Sequence, residues 1–437
     1  MSEEKESKIQ EISEKTQSFM QSTRGHMFNY TGQLKSTIKW VLFAILLGVI
    51  LGFVGALFYK LTGMATTFRG LHPWMIFLLP GAGLLIAVLY YHIGDIKDPG
   101  TNLVFESVRA KEKLPPQMAP LIFVCTVITH LFGGSAGREG AALQIGGSIA
   151  TTISDLLHLA QKDRDIIIMC GMSAAFSAVF GTPLAAAIFS IEVISVGIMQ
   201  YSALLPCIIS ALVAHGIASR LLDQSLSLPA IQIPAFSLQS ALWIALLAIL
   251  CAVISVIFCF MMHRTTQAVN YFCKNPFLRN VIGGGLVIAV TLLYGTQDYN
   301  GLSIGLLQES FSGSIPSYAF IFKIILTVIT LAFGFKGGEI VPSFVIGATF
   351  GNLFGSLSGL SPTLCAAVGL GAVFCGVTNS PITSLLICFE LFGFEGMPYY
   401  LLAIAISYTL SGYYGLYKSQ RFAYSKFRTD YINRKSE

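Results

Sequence analysis

The chain has 437 residues, of which 54% are hydrophobic and only 11% are charged. Soluble domains carry charge on roughly a quarter of their residues, so this composition excludes an ordinary soluble globule and indicates a membrane protein. The formal net charge of +5 comes largely from the polar ends of the chain. It therefore gives little support to a nucleic-acid-binding protein.

Residues 1–36 mix both charge signs and lack the apolar core of a signal peptide. They are predicted to form a cytoplasmic N-terminal arm, in part a surface helix. At the other end, residues 418–437 contain six Lys and Arg residues against two acidic residues. The positive-inside rule predicts that this basic tail is also cytoplasmic.

Between the two ends, several apolar stretches are long enough, or nearly so, to cross a bilayer, which takes about 20 residues. Others are shorter or interrupted by Gly and Pro, and these are tolerated only where protein or a watery cavity shelters the freed backbone groups. This pattern is typical of a channel or transporter. The long stretches are residues 40–59, 74–91 and 241–262, and the short ones are residues 166–172, 281–293 and 343–354.

Nine cysteines are scattered through the chain, mostly inside apolar segments. None is spaced as a metal-ligand pair, so they are predicted to be small packing residues. The isolated His72 and His130 receive the same interpretation. The sequence therefore predicts no metal and no cofactor.

The chain repeats itself. The string TVIT occurs at residues 126–129 and again at residues 327–330, and the ungapped continuation aligns Gly137 with Gly338. A second match, 198 residues apart, aligns Glu192 with Glu390. Two matches in the same order indicate an ancient duplication. The predicted repeats are residues 37–222 and 239–417, joined by a linker at residues 223–238, and their relative orientation stays open.

Residues 133–147 form a glycine-rich loop followed by an apolar helix, with Arg138 and Glu139 in otherwise apolar sequence. Free N–H groups and the positive dipole end of a helix attract an anion. An ionised Glu139 can occupy such a site itself, and a protonated Glu139 can leave it. Proton and anion then compete for one place, as a gate or a proton-coupled exchanger requires. The alternative is that Glu139 only pairs with Arg138 or caps the helix.

The equivalent loop of the second repeat is residues 334–342, again ahead of an apolar helix. Its amides at Ile340 and Val341 are predicted to face the same anion. Glu339 adds a second carboxylate, and its alternative role is to face the cytoplasmic vestibule or to pair with Lys336.

A third, weaker loop-then-helix pattern lies at residues 95–102, and Tyr417 follows the last apolar segment. A tyrosine hydroxyl can donate a hydrogen bond to an anion, although for this residue alone, or for Tyr414, an interfacial anchor is the simpler interpretation.

Four stretches carry a resemblance to a known family: GREG at residues 137–140, GGEIVP at 337–342, GTPLAAAIFSIEV at 181–193, and Leu416-Tyr417. They resemble motifs of the CLC family of anion channels and anion/proton exchangers. The resemblance implies an all-α polytopic membrane protein of two inverted repeats with short, tilted and broken helices, assembled as a homodimer. It also implies Glu139 as the external gate, with Ile340, Val341 and Tyr417 around a central anion. The loops of the first repeat add further predicted anion-binding residues: Gly100, Thr101, Asn102, Arg138 and Gly140.

Three departures point to a branch of that family. The usual central serine motif is replaced by DPGTN at residues 98–102, with Pro99 near the serine's place. The internal proton-transfer glutamate of many exchangers aligns with Val193, and Glu339 stands where the main branch has an apolar residue. These departures resemble the fluoride/proton exchangers.

The predicted function is export of fluoride in exchange for protons across a prokaryotic plasma membrane, with Glu139 as the coupling group and Glu339 as a second carboxylate. The partners are fluoride or chloride, protons, the lipid bilayer and a second copy of the chain. Alternatives are a passive chloride channel and a chloride or nitrate exchanger with an altered inner site. An intramembrane enzyme has little support, because no nucleophile–base or metal constellation accompanies the carboxylates.

Overall fold

The computed structural model describes residues 3–93, 100–110, 112–222, 228–229, 231–313 and 315–437, with side chains described from residue 33 onward except at residue 162. The linker predicted at residues 223–238 lies partly outside this set. The first helix runs without a break through the boundary predicted at residue 36. The helices of the first repeat are α1 (Glu3–Leu71), α2 (Leu79–His92), α3 (Thr101–Ala110), α4 (Met118–Leu131), α5 (Glu139–Leu156), α6 (Gln161–Phe180), α7 (Pro183–Glu192) and α8 (Leu204–Leu221).

The second repeat has the same succession of helices. It contains α9 (Leu238–Phe272), α10 (Pro276–Tyr294), α11 (Ile304–Glu309), α12 (Ala319–Ala332), α13 (Ile340–Ser358), α14 (Pro362–Thr378), α15 (Pro381–Phe392) and α16 (Met397–Leu410). Short 3₁₀ turns at Pro73–Leu78 and Tyr201–Ala203 precede α2 and α8.

Within the described ranges, six helical segments are long and apolar enough to cross a membrane, and six further apolar helices have only 10–17 residues. The short helices are mostly interior: every residue of α14 from Leu364 to Thr378 is buried. Long helices such as α1 and α9 expose many large apolar side chains on their outer faces, as a lipid-facing helix does. The prediction of a polytopic protein with short and broken helices is therefore confirmed.

Hydrogen bonds across the duplication relate the two repeats by an approximate two-fold axis. The N–H of Ser135 donates to Thr330 Oγ1 at 3.0 Å, and the N–H of Lys336 donates to Thr129 Oγ1 at 3.3 Å. These two bonds join the same aligned positions with the repeats exchanged, since Ser135 aligns with Lys336 and Thr129 with Thr330. The duplication inferred from the sequence is thus visible in the packing.

A second reciprocal pair closes the interface between α7 and α15. The Glu390 carboxylate accepts hydrogen bonds from the N–H groups of Leu184 and Ala185, both at 2.9 Å. The Glu192 carboxylate accepts from the N–H groups of Ile382 and Thr383 at 3.0 and 2.8 Å. Each glutamate caps the N-terminus of the other repeat's helix, where free N–H groups and the helix dipole favour a negative charge.

Glycines let the helices behind the two central loops pack in direct backbone contact. A Cβ built on Gly146 of α5 lies 2.2 Å from Gly171 O of α6, and one built on Gly347 of α13 lies 2.3 Å from Gly369 O of α14. No larger residue fits at these positions. The close approach fixes α5 and α13 rigidly in the interior, so their N-termini have defined positions.

The C-terminal tail folds into a hairpin that the sequence did not predict. Strand β2 (Arg421–Tyr424) pairs in parallel with β1 (Ser195–Val196) and antiparallel with β3 (Tyr431–Lys435). The Lys426 ammonium group donates to Asn379 Oδ1 and Tyr408 O, both at 2.6 Å. The described residues of this largely helical protein thus include a small three-stranded sheet, and Lys426 fastens the tail to the ends of α14 and α16.

Candidate anion pathway

The N-terminus of α5 presents free backbone donors. Arg138 is the N-cap residue, and the first intrahelical bond runs from the N–H of Ala142 to Arg138 O at 2.9 Å. The N–H groups of Glu139, Gly140 and Ala141 therefore have no partner within the helix. This is the anion-attracting geometry that the loop at residues 133–147 predicts.

The second repeat builds the same feature at α13. Glu339 is the N-cap residue, and the N–H of Ser343 donates to Glu339 O at 3.2 Å. The N–H groups of Ile340 and Val341 precede this bond and are available to a ligand, whereas Pro342 has no N–H to satisfy.

A reciprocal pair of hydrogen bonds joins the two loops at their aligned glycines. The N–H of Gly137 donates to Gly338 O at 2.6 Å, and the N–H of Gly338 donates to Gly137 O at 2.7 Å. A Cβ added to Gly140 lies 2.9 Å from Gly338 Cα and 3.3 Å from Glu339 Oε2. The N-terminus of α5 and the Glu339 carboxylate of the other repeat therefore meet at one place.

Glu139 lies at this junction and is 1% exposed. Its Oε2 accepts a hydrogen bond from the N–H of Arg138 at 3.0 Å, and its Oε1 lies 3.6 Å from Arg138 Nε. The Arg138 guanidinium in turn lies 3.8 Å from the centre of the Tyr59 ring. The Glu139 carboxylate thus bonds to the loop that carries the free N–H groups of α5. Glu139 therefore pairs with Arg138 and also lies beside the N–H groups that could bind an anion.

A cavity of about 180 Å³ opens onto Glu139 and Arg138. The second repeat contributes Val341 and Phe344 to its lining, and Glu390 lies there too. Because the cavity reaches both repeats, an ion or proton that arrives from this side meets the Glu139 carboxylate at the α5 N-terminus. We refer to this as the Glu139 cavity.

Unpartnered polar atoms mark the region beyond Glu139. Glu339 Oε2, the Tyr417 hydroxyl and Gln144 Oε1 are buried without a hydrogen-bond partner among the described residues. Tyr417 is 1% exposed, and its ring packs edge-on against Phe105 at 4.9 Å. Buried polar groups normally have partners, so their convergence here indicates a place for a ligand or water.

Thr101 connects α3 to this region, whereas Asn102 turns to the tail. Thr101 Oγ1 accepts from Gln144 Nε2 at 3.1 Å and donates to Gly140 O at 3.4 Å. Asn102 Oδ1 accepts from the backbone N–H and the hydroxyl of Ser419, both at 3.0 Å. Gly100 begins the segment with a positive φ of 64°, and Pro99 lies outside the described residues.

Gln144 is a residue of this site that the sequence analysis did not select. It lies on α5 one turn after Gly140, with its amide nitrogen bound to Thr101 and its oxygen free of any described partner. The available signal was a single amide in an otherwise apolar helix start, which is equally typical of a buried structural amide.

At Val193 the side chain is fully buried. Its carbonyl accepts a hydrogen bond from Gln420 Nε2 at 2.8 Å, and the same amide donates to Thr378 O at 2.7 Å. The position aligned with the internal proton-transfer glutamate of other exchangers is therefore occupied by apolar packing and by the base of the C-terminal hairpin.

Comparison with known proteins agrees with this architecture. The family model described as "Voltage gated chloride channel" matches residues 82–412. The chain belongs to the CLC family. A "Chloride/fluoride channel protein" of Pseudomonas syringae pv. tomato is 36% identical over 400 residues, covering 89% of this chain and 87% of that protein.

Two solved CLC structures have the same fold. The crystal structure of a CLC-type fluoride/proton antiporter superposes with a TM-score of 0.85 at 32% identity and covers 88% of this chain and 98% of that one. A slow cyanobacterial Cl⁻/H⁺ antiporter superposes with a TM-score of 0.74 at 19% identity, covering 85% of this chain and 94% of that one. The chain is thus a multi-pass membrane protein of the CLC family.

Proposed function

We propose that this CLC protein exchanges fluoride for protons and exports fluoride from the cell. The observation that carries the proposal is the junction of two helix N-termini with two carboxylates, Glu139 and Glu339, beside the Tyr417 hydroxyl. The similarity to a chloride/fluoride channel protein and to a fluoride/proton antiporter supports it.

The chemistry of fluoride suits this site. Fluoride is small, strongly hydrated and a strong hydrogen-bond acceptor. When the ion leaves water for the site, protein donors must therefore replace the hydrogen bonds that it made to water. The amides of Ile340 and Val341 and the hydroxyl of Tyr417 are donors, and a protonated Glu339 supplies one more. A larger and more weakly hydrated anion such as chloride requires fewer strong donors.

Proton coupling follows from competition at the α5 N-terminus. When Glu139 is ionised, its carboxylate occupies the N–H donors that the anion needs. When it takes a proton from the Glu139 cavity, it releases them and the anion moves in. We assign the external gate to Glu139 and the inner anion site to Glu339, Thr101, Gln144 and Tyr417.

We further propose that the protein acts as a homodimer with one pathway in each subunit, in the plasma membrane of a prokaryotic cell. The Glu139 cavity then faces the outside, and the C-terminal hairpin faces the cytoplasm. The excess of Lys and Arg in residues 418–437 supports this orientation. We assign transport rather than enzymatic catalysis to the site.

The test is ion flux from liposomes that contain the purified protein, with fluoride and chloride compared and external pH recorded. We expect an outward fluoride gradient to drive proton uptake against a proton gradient, with much slower chloride movement. Rapid chloride efflux without proton movement would make the protein a channel and refute the exchanger assignment.

A further inference from the structure

Beside the Glu139 cavity lies a second cavity of about 230 Å³, which the function above does not use. We call it the Arg69 cavity. Its lining includes Thr66 and Arg69 at the end of α1, and Asn300 and Ser303 in the loop before α11. Leu302 and Ile304 line both cavities, so the two adjoin at one mouth of the pathway.

Arg69 is only 6% exposed, and among the described residues its Nη1 has no hydrogen-bond partner. None of the described acidic side chains forms an ion pair with it. A buried charge without a partner is strongly unfavourable. The guanidinium therefore lacks a counter-ion within the described chain.

Two glycines make room for the guanidinium. A Cβ added to Gly301 lies 3.0 Å from Arg69 Nη1, and one added to Gly133 lies 3.4 Å from Arg69 Cδ. Both residues have a positive φ, 62° and 91°, a conformation that favours glycine. The loop that leads to Glu139 and the loop before α11 thus form a cradle around the side chain.

A second buried cation lies behind the same loop. The Lys323 ammonium group is fully buried and donates to Gly301 O at 2.8 Å and Ser303 Oγ at 2.9 Å. Its other partners, Ser135 Oγ and Tyr299 O, are also uncharged. Arg69 and Lys323 therefore both lie beside Gly301. Two basic groups placed close together raise the free energy of charging either one unless an anion balances them.

Two carboxylates, Asp298 and Glu309, also line the Arg69 cavity. Both residues are exposed, so water already solvates them. An exposed carboxylate at the rim of the cavity keeps most of its hydration, whereas the buried guanidinium has lost its hydration without gaining an ion pair among the described residues. The positive charge therefore dominates the inner wall of the cavity.

We infer that Arg69, with Lys323 behind it, forms an outer binding site for a small monovalent inorganic anion that enters or leaves through the Glu139 cavity. The inference rests on the proposed transport function and adds a second station to the path. Since liquid water occupies about 30 Å³ per molecule, a cavity of about 230 Å³ holds a partly hydrated anion. The Arg69 guanidinium supplies the hydrogen-bond donors that such an anion requires.

The test compares fluoride uptake into right-side-out and inside-out membrane vesicles. In right-side-out vesicles we expect Arg69→Gln to raise the half-saturating external fluoride concentration about tenfold, the effect of losing one hydrogen bond to a charged group. Inside-out vesicles and the fluoride-to-proton ratio should stay unchanged, and Arg69→Lys should restore most of the affinity. The matched control is Arg220→Gln, an exposed arginine at the end of α8.

An unchanged half-saturating concentration in right-side-out vesicles overturns the inference. An equal rise in both vesicle types overturns it as well, because it makes Arg69 a structural residue. Failure of fluoride transport itself is separated by a second measurement, anomalous diffraction from crystals grown with bromide. A bromide peak beside the guanidinium that is present in the wild type and absent in Arg69→Gln supports the site even if the exported ion is not fluoride. If the wild type does not transport fluoride and also shows no bromide peak, the inference is overturned.

Discussion

The contact between Gly137 and Gly338 is open to a test with one added methyl group. A Cβ at Gly338 lies 2.5 Å from the backbone nitrogen of Gly140. The loops must separate by about 0.5 Å to reach even a very close 3.0 Å contact. That displacement weakens the reciprocal hydrogen bonds of 2.6 and 2.7 Å, worth about 1 kcal/mol each.

The same displacement moves the Gly140 amide away from the anion that it is proposed to bind. Misplacing a binding group by a fraction of an ångström to 1 Å costs roughly tenfold to a hundredfold in rate. We therefore expect Gly338→Ala to lower fluoride turnover in liposomes by about tenfold or more. Its melting temperature should also fall, but the protein should remain folded. Wild-type turnover in a folded Gly338→Ala protein would refute the account of the junction.

Gly63→Ala is the matched control. Gly63 lies within α1, and an added Cβ meets no atom within 4 Å. Because Ala is the better helix former by roughly 0.5–1 kcal/mol, we expect this variant to keep wild-type turnover and to unfold at the same or a slightly higher temperature. A loss of turnover here would show that any added methyl group harms transport.

Glu339→Ala should lower fluoride flux in liposomes about tenfold, whereas Glu339→Gln, which keeps a hydrogen-bond donor, should retain more of the wild-type flux. Equal flux in both variants and the wild type would assign Glu339 a structural role only. Glu192→Ala and Glu390→Ala should each lower stability in detergent by about 1–3 kcal/mol because each frees two helix N–H groups, and unchanged melting temperatures would contradict the capping roles. Burial lowers the pKa of Lys426 to about 7, so above that pH the unfolded chain binds more protons than the folded protein. The free energy of unfolding of the wild type should therefore increase as pH rises from about 7 to 10. Melting curves recorded in parallel should show no such increase for Lys426→Met.

The sequence predicted the repeat architecture because duplication leaves matching glycines and helix starts at similar offsets. Gly137 and Gly338, aligned by sequence alone, prove to be hydrogen-bonded partners. The free N–H groups at the starts of α5 and α13 also agree with prediction, because a glycine-rich loop before an apolar run determines local structure directly. The anion-binding roles of these residues stay predictions.

Long-range contacts could not be predicted. The C-terminal hairpin depends on buried partners such as Asn379 for Lys426 and Val193 for Gln420, whereas basic composition indicated only a cytoplasmic tail. Gln144 and Arg69 were likewise missed, since each is marked by a single atom, Gln144 Oε1 and Arg69 Nη1, that has no hydrogen-bond partner among the described residues. Only the three-dimensional arrangement of the neighbouring loops reveals that absence.

Glu139 is proposed to couple the two ions by competing with the anion for the α5 N-terminus. The most direct measurement is the voltage at which fluoride flux reverses in liposomes, with and without a pH gradient, for the wild type and for Glu139→Gln. We expect the pH gradient to displace the reversal voltage in the wild type and to have no effect in Glu139→Gln, which then follows the fluoride gradient alone. An equal displacement in both proteins would contradict the claim and place the proton route elsewhere.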